Sequence, residues 1–200
     1  MTMLETDIRN ADPLSLFYQW FEAAKGSEHA DPDAACLATA QDGRPSARMV
    51  LVRRVDERGF TFFTNENSRK GQQLTANGFA ALCYHWKSLE RQIRVEGSVE
   101  RADASESDAY YASRARGSRI GAWASEQSQP LDSRETLLKK VSALEAQYEG
   151  TDIPRPPFWG GFRIVPTRIE FWQQGEFRLH DRFVFTRNAS NGWDVQRLHP

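Results

Sequence analysis

Between residues 35 and 64 short β-forming runs alternate with polar turn signals, and this punctuation narrows the possible folds more than any other feature of the chain. Residues 35–40 lead into Gln41-Asp42-Gly43, residues 47–55 into a turn over 56–59, and residues 60–64 complete the set. Strands joined by such short connections pair antiparallel, because parallel neighbours need a crossover of roughly a dozen residues or more. The stretch therefore predicts a meander. The same grammar returns at residues 79–86 and 90–101, and again at 161–172, 180–186 and 193–198, with Asn191-Gly192 as the last hairpin turn.

Helices are predicted between these strands. Asp12-Pro13 ahead of Leu14, Leu16, Phe17, Trp20 and Phe21 predicts an N-capped amphipathic helix closed by Gly26, after a loose tail over residues 1–11. Ser68 predicts the cap of a short helix that stops at Asn77-Gly78. Residues 105–113 and 133–148 predict two more, the latter with Leu137, Leu138, Val141, Leu144 and Tyr148 at helical spacing, and between them lies a polar, Ser- and Gln-containing segment, 115–129. Ile153-Pro154-Arg155-Pro156-Pro157 then breaks the helical part. Strands dominate both ends and helices are insertions, so the expected class is α+β: one domain over residues 1–200, an antiparallel barrel-like sheet with peripheral helices.

Composition rules out several functions. With 40% hydrophobic and 12% aromatic residues the chain has enough apolar surface to bury a core. A net charge of −1 argues against a surface that wraps nucleic acid, so any anion site must be local. Cys36 and Cys83 lie in apolar stretches and fit buried thiols of a reducing, cytoplasmic compartment. The first residues lack a leader pattern, and the apolar run at 79–86 is too short to span a bilayer, so no membrane partner is expected. His29, His85, His180 and His199 are scattered away from ligand spacing, which predicts no metal. Dinucleotide, Walker and nucleophile-elbow motifs are absent.

Three clusters are candidates for chemistry. Arg48 with Ser68-Arg69-Lys70 puts cations beside a helix start, where free N–H groups favour a phosphate; a solvated basic turn has the same spacing. Tyr110, Arg114, Arg116, Ser118 and Arg119 gather around the end of a helix, with Tyr110 and Arg114 four apart on one face and Ser118 in a glycine-containing turn, a second possible anion cradle or an ordinary charged surface helix. In the run 178–182, strand alternation places Arg178, His180 and Arg182 on one face. That face is either a site or a solvent face neutralised by Glu170 or Glu176.

Taken in order, Ser46-Ala47-Arg48-Met49-Val50-Leu51, Phe63-Thr64-Asn65 with Ser68-Arg69-Lys70, Leu89-Glu90-Arg91-Gln92, Ile120-Gly121-Ala122-Trp123 with Gln127-Ser128, Phe158-Trp159-Gly160-Gly161-Phe162-Arg163, and Ile169-Glu170-Phe171-Trp172 with Arg178-Leu179-His180-Asp181-Arg182 resemble the pyridoxamine 5′-phosphate oxidase family. The resemblance implies a split-barrel homodimer that binds FMN and oxidises pyridoxine or pyridoxamine 5′-phosphate to pyridoxal 5′-phosphate, with O2 as acceptor. It implies FMN contacts at Arg48, Met49, Val50, Phe63, Thr64, Arg69, Lys70, Gln92, Gln127, Ser128, Trp172 and Arg182. Substrate contacts are implied at Arg53, Tyr110, Arg114 and Ser118, with Arg178 and His180 over the reacting ring. Arg53 stands where the family usually has Lys, which leaves room for a related flavin oxidase acting on another ring, such as those of phenazine biosynthesis. A non-catalytic split barrel that merely holds flavin or haem is the alternative from outside the enzymes.

Overall fold

Alternation along the strands decides which side of the sheet is core. In this computed structural model, which describes Ile8 and residues 11–200, eight strands pair antiparallel. They are β1 (Ala34–Gln41), β2 (Arg44–Asp56), β3 (Gly59–Asn65), β4 (Phe79–Trp86), β5 (Arg91–Arg101), β6 (Trp159–Gln173), β7 (Asp181–Arg187) and β8 (Trp193–Arg197). Their order is β3-β2-β1-β4-β5-β6-β7-β8, and a further β3–β6 pairing closes the first six into a barrel. Leu37, Phe62, Leu82, Ile93, Val95 and Phe162 are among the side chains that fill it.

The long strand β6 belongs to two structures at once. Its first part, Trp159 to Ile164, pairs with β3, whereas Arg168 to Gln173 pair with β7. β5 runs along its other edge throughout, with a register shift at Glu96/Gly97. Only glycine fits there, since a Cβ on Gly97 would lie 1.9 Å from the Val165 carbonyl oxygen. The sheet thus splits along β6: its first part closes the barrel against β3, and from its second part β7 and β8 extend outward.

Helix α1 (Pro13–Ser27) begins as its sequence suggests, with Asp12 accepting from the Ser15 N–H at 2.8 Å. Its apolar face packs on the barrel: Phe17 meets Phe60 edge-on at 5.1 Å and Trp20 meets Phe171 at 5.3 Å. Gly26 does not end it; the helix runs one residue further and leaves through an extended Glu28. Residues 1–7, 9 and 10 of the expected tail lie outside the described residues.

The remaining helices are α2 (Arg69–Asn77), α3 (Ala104–Ser113), α4 (Arg116–Ala124) and α5 (Arg134–Gln147). The first is capped by Ser68 and stopped by a left-handed Gly78, as expected. Helix α4 lies in the polar segment 115–129 and places Ser118 within a helix rather than in a glycine-containing turn: only Ile120 and Ala124 of it are buried, and Gly117 and Gly121 hide its helical character. The apolar stripe of α5 is no core face either, since none of its residues is buried and it packs chiefly on α4. Cys36 and Cys83 are register partners across β1 and β4, free and half-buried rather than enclosed. Among the described residues no helix is long and apolar enough to cross a membrane.

Candidate active site

A cavity of about 740 Å³ opens where β2, β3, α3 and α4 meet. Strand β2 lends it Met49, Val50 and Arg53, and β3 lends Phe63 and Thr64. Lys70, Tyr110, Arg114, Ser118 and Gln127 complete the groups singled out from sequence, and Trp159 joins them from β6. An ion cluster behind the wall fixes α3. Arg163, 3% exposed, donates to Glu100 at 2.7 Å and to Glu106 at 2.6 Å, and Glu106 in the first turn of α3 also receives Arg54 and Arg58. A buried guanidinium tolerates that position only because carboxylates meet it.

Among the described residues the first cation cluster has no acid in it. Arg48 donates to the Thr39 hydroxyl at 2.6 Å, to Ser46 at 2.8 Å and to Gln73 at 3.0 Å. Lys70 Nζ reaches Thr64 and Gln127, each at 3.0 Å. Arg69, exposed at the start of α2, is close enough for its charge to lower the Arg48 pKa after burial has done so. Burial first, and then the Arg48 charge, bring the Lys70 ammonium down from 10.5 to about 8. Arg48, Arg69 and Ser128 stand beside the cavity rather than on its wall, and Ser128 is left-handed at φ 75°.

The second cluster is aromatic and basic. Phe63, Tyr110 and Trp159 stack nearly parallel, with Phe63–Tyr110 at 4.3 Å and Phe63–Trp159 at 5.7 Å. Arg114 is not within α3: it is the extended C-cap, its N–H bonded to the Tyr111 carbonyl, yet it faces the same cavity as Tyr110. Arg53, on the rim, is ion-paired with Asp33 at 2.6 Å.

The other predicted residues gather elsewhere. Gln92, Trp172 and Arg182 are register partners across β5, β6 and β7. The adjacent rung, Ile93, Phe171 and Phe183, is buried, so alternation points this row to the outer face. Arg182 donates to Glu170 at 2.9 Å. Glu170 is fully buried; burial raises its pKa, but hydrogen bonds from Arg182 and Arg94 outweigh that and hold it below the usual value.

Arg178 and His180 precede β7 instead of lying on it, which corrects the single-face reading of the run. Phe177 and Arg178 are both left-handed, at φ 54° and 65°, in a tight turn closed over Gly175, where a Cβ would lie 2.1 Å from the Leu179 carbonyl oxygen. The His180 ring lies 4.7 Å from Trp172, and its Nδ1 accepts the Gly175 N–H at 3.2 Å. A backbone N–H can only donate, so Nδ1 carries the lone pair and the hydrogen of the neutral ring sits on Nε2, facing away from the turn.

None of this second group lines the cavity. Trp159 and Trp172 are separated by roughly 40 Å of extended chain at about 3.3 Å per residue along β6. Sequence order gave Trp159, Asp33, Gln73 and Gly175 no individual part; only the Gly160-Gly161 pair after Trp159 hinted at close packing there.

Residues 23–148 match the family model described as pyridoxamine 5′-phosphate oxidase. The chain belongs to the pyridoxamine 5′-phosphate oxidase family. Residues 159–200 match the model of the pyridoxine 5′-phosphate oxidase C-terminal dimerisation region, the segment that holds Trp172, Arg178, His180 and Arg182. Pyridoxine/pyridoxamine 5′-phosphate oxidase of Gluconobacter oxydans is 56% identical over 95% of each chain, and that of Brucella canis 55% over 96% of each. The crystal structure of PhzG from Burkholderia lata 383 with tetrahydrophenazine-1-carboxylic acid superposes with a TM-score of 0.93, at 34% identity over 100% of this chain and 98% of that one. An FMN-binding protein from Nostoc punctiforme, related to pyridoxamine 5′-phosphate oxidase, shares the fold at TM-score 0.75 and 17% identity, covering 96% of this chain and all of its own. The barrel whose sheet splits along β6 is the split barrel of this family.

Proposed function

We propose that the chain is an FMN-dependent oxidase that converts pyridoxine 5′-phosphate or pyridoxamine 5′-phosphate to pyridoxal 5′-phosphate, with O2 as acceptor, H2O2 as by-product and NH3 from the amine. The observation that carries this reading is the pair of acid-free clusters at one cavity, Arg48 with Arg69 and Lys70, and Tyr110 with Arg114 and Ser118. Cofactor and substrate each bring one phosphate, and each cluster suits one. The relatives that are 55% and 56% identical support the choice of substrate.

The first cluster fits the FMN phosphate, because cations without a carboxylate among their partners repel one another until an anion arrives, and the start of α2 adds free N–H groups. Met49, Val50, Phe63, Thr64, Gln127 and Ser128 would meet the rest of the cofactor. FMN bound there supplies the two-electron acceptor and the route to oxygen. The second cluster, with Arg53, grips the substrate phosphate. Anchoring both phosphates would fix the orientation of the substrate relative to the bound cofactor, so positioning would supply much of the rate.

Gln92, Trp172 and Arg182 then complete the flavin's surroundings, and Arg178 and His180 cover the substrate ring, contributed by a second copy of the chain in a homodimer. The dimerisation-region match over 159–200 and the outward rung Gln92–Trp172–Arg182 support this arrangement. Anaerobic mixing of the FMN-loaded protein with pyridoxine 5′-phosphate tests the proposal: the flavin absorbance bleaches, and air then yields pyridoxal 5′-phosphate and peroxide. A yellow protein that stays unbleached overturns it. The likeness to PhzG at 34% identity favours a second reading, oxidation of a phenazine-type ring, which product analysis with both substrate classes separates.

A further inference from the structure

The cations of this site differ in what holds them. Side-chain and backbone oxygens brace Arg48, Asp33 braces Arg53, and Lys70 is tied to Thr64, Ser68 and Gln127. Arg114 has no such support: among the described residues its guanidinium makes no hydrogen bond and no ion pair, and its Nη1 is shut off from solvent without a partner. Its seat is aromatic. The guanidinium carbon lies 4.8 Å from the ring centre of Trp159 and 5.7 Å from that of Tyr111.

Trp159 is itself firmly placed. It opens β6 as the register partner of Asn65, its N–H donates to the Pro156 carbonyl at 3.0 Å, and its own carbonyl accepts from Arg155 at 2.5 Å. Tyr111 meets it edge-on at 5.2 Å, and Phe63 lies parallel to it within 9°. Gly161 leaves room for that stack, since a Cβ there would fall 2.9 Å from Phe63 Cε1.

We propose that Trp159 is a positioning residue for Arg114, an indole platform that aims the guanidinium at the substrate's anionic group without neutralising it. A carboxylate could hold Arg114 as firmly, but it would occupy the N–H groups and compete with the incoming anion. An indole face attracts the cation through its ring quadrupole and leaves those donors free. The identity of the substrate here rests on the function proposed above; the platform itself rests on the geometry.

The test uses FMN-loaded protein carrying Trp159→Phe and Trp159→Leu, each also in an Arg114→Ala background. Loss of the indole face should raise KM for pyridoxine 5′-phosphate by roughly 3–30-fold, more for Leu than for Phe, with a much smaller change in kcat and unchanged FMN content. In the Arg114→Ala background the same substitutions should add nothing. If KM is unaltered, or if the effects of the two positions simply multiply, the proposal is wrong. Should the Leu variant fold poorly, the Phe variant decides. Inorganic phosphate binding, followed by tryptophan fluorescence and by equilibrium dialysis, separates this idea from the assigned reaction. Wild-type protein that turns over no B6 phosphate yet binds phosphate more tightly than Trp159→Phe would overturn the function and keep the platform. Equal phosphate affinity would overturn the platform.

Discussion

If the first cluster takes the FMN phosphate as proposed, one proton on Lys70 sets the pH range in which it works. Burial and the Arg48 charge bring its pKa to about 8, so the ammonium loses charge above that value. FMN affinity of the apoprotein should therefore fall between about pH 7 and 9, and Lys70→Met should flatten the profile; flavin fluorescence quenching measures both. Stability moves the other way. The folded-state pKa lies below 10.5, so the unfolded chain binds more protons between about 8 and 10.5, and this group's contribution to stability rises with pH across that window. His180 offers a sharper test of geometry. Its Nδ1 is taken by Gly175, which leaves Nε2–H as the donor it would offer the substrate in the proposed function. Gln places a donor near the Nε2 position and Asn does not, so His180→Gln should keep roughly 10-fold more kcat/KM than His180→Asn. The reverse order would remove the outward donor from the mechanism. Lys70 and the imidazole were legible as residue types; which atom the imidazole presents was not, because that depends on neighbours such as Gly175 that carry no side-chain signal.

At the scale of elements, the sequence was most informative where period and caps agreed. The meander, the Asp12 and Ser68 caps and the Asn77-Gly78 stop all have local causes, and all formed as expected. Helix α4 escaped because its burial is slight and two glycines interrupt it, whereas α5 was legible from its helical spacing although none of its residues is buried. The turn before β7 escaped for a different reason. Consecutive left-handed residues at Phe177 and Arg178 are disfavoured locally and are imposed by the closure over Gly175. Gly175→Ala should accordingly force that turn open: kcat/KM falls by about 10-fold or more, while the melting temperature shifts little because the turn is exposed. A variant with unimpaired turnover would show that the turn's shape is incidental.

For the whole molecule, the sequence named two sets of site residues but could not say that they occupy different faces of one chain. Gln92, Trp172, Arg178, His180 and Arg182 lie outside the cavity that holds Lys70, Tyr110 and Arg114. If two copies complete each other's site, Arg114→Ala and His180→Ala proteins, each nearly inactive alone, should regain activity when unfolded and refolded together. Random pairing makes half the dimers mixed, and each mixed dimer has one intact site, so about a quarter of wild-type activity should return. No recovery would mean that one chain supplies both sets.

The double use of β6 carries a genetic consequence. One end of this strand closes its own barrel against β3 and the other bears Trp172 on the outer face, with the Gly97 shift between them. If the outer face completes the twin's site as proposed, a substitution that tilts the strand at that shift leaves the home cavity largely intact and misplaces the part lent to the twin. Such a lesion would then act in trans: with one altered and one normal copy of the gene, the defect would appear in the cavity of the normal subunit.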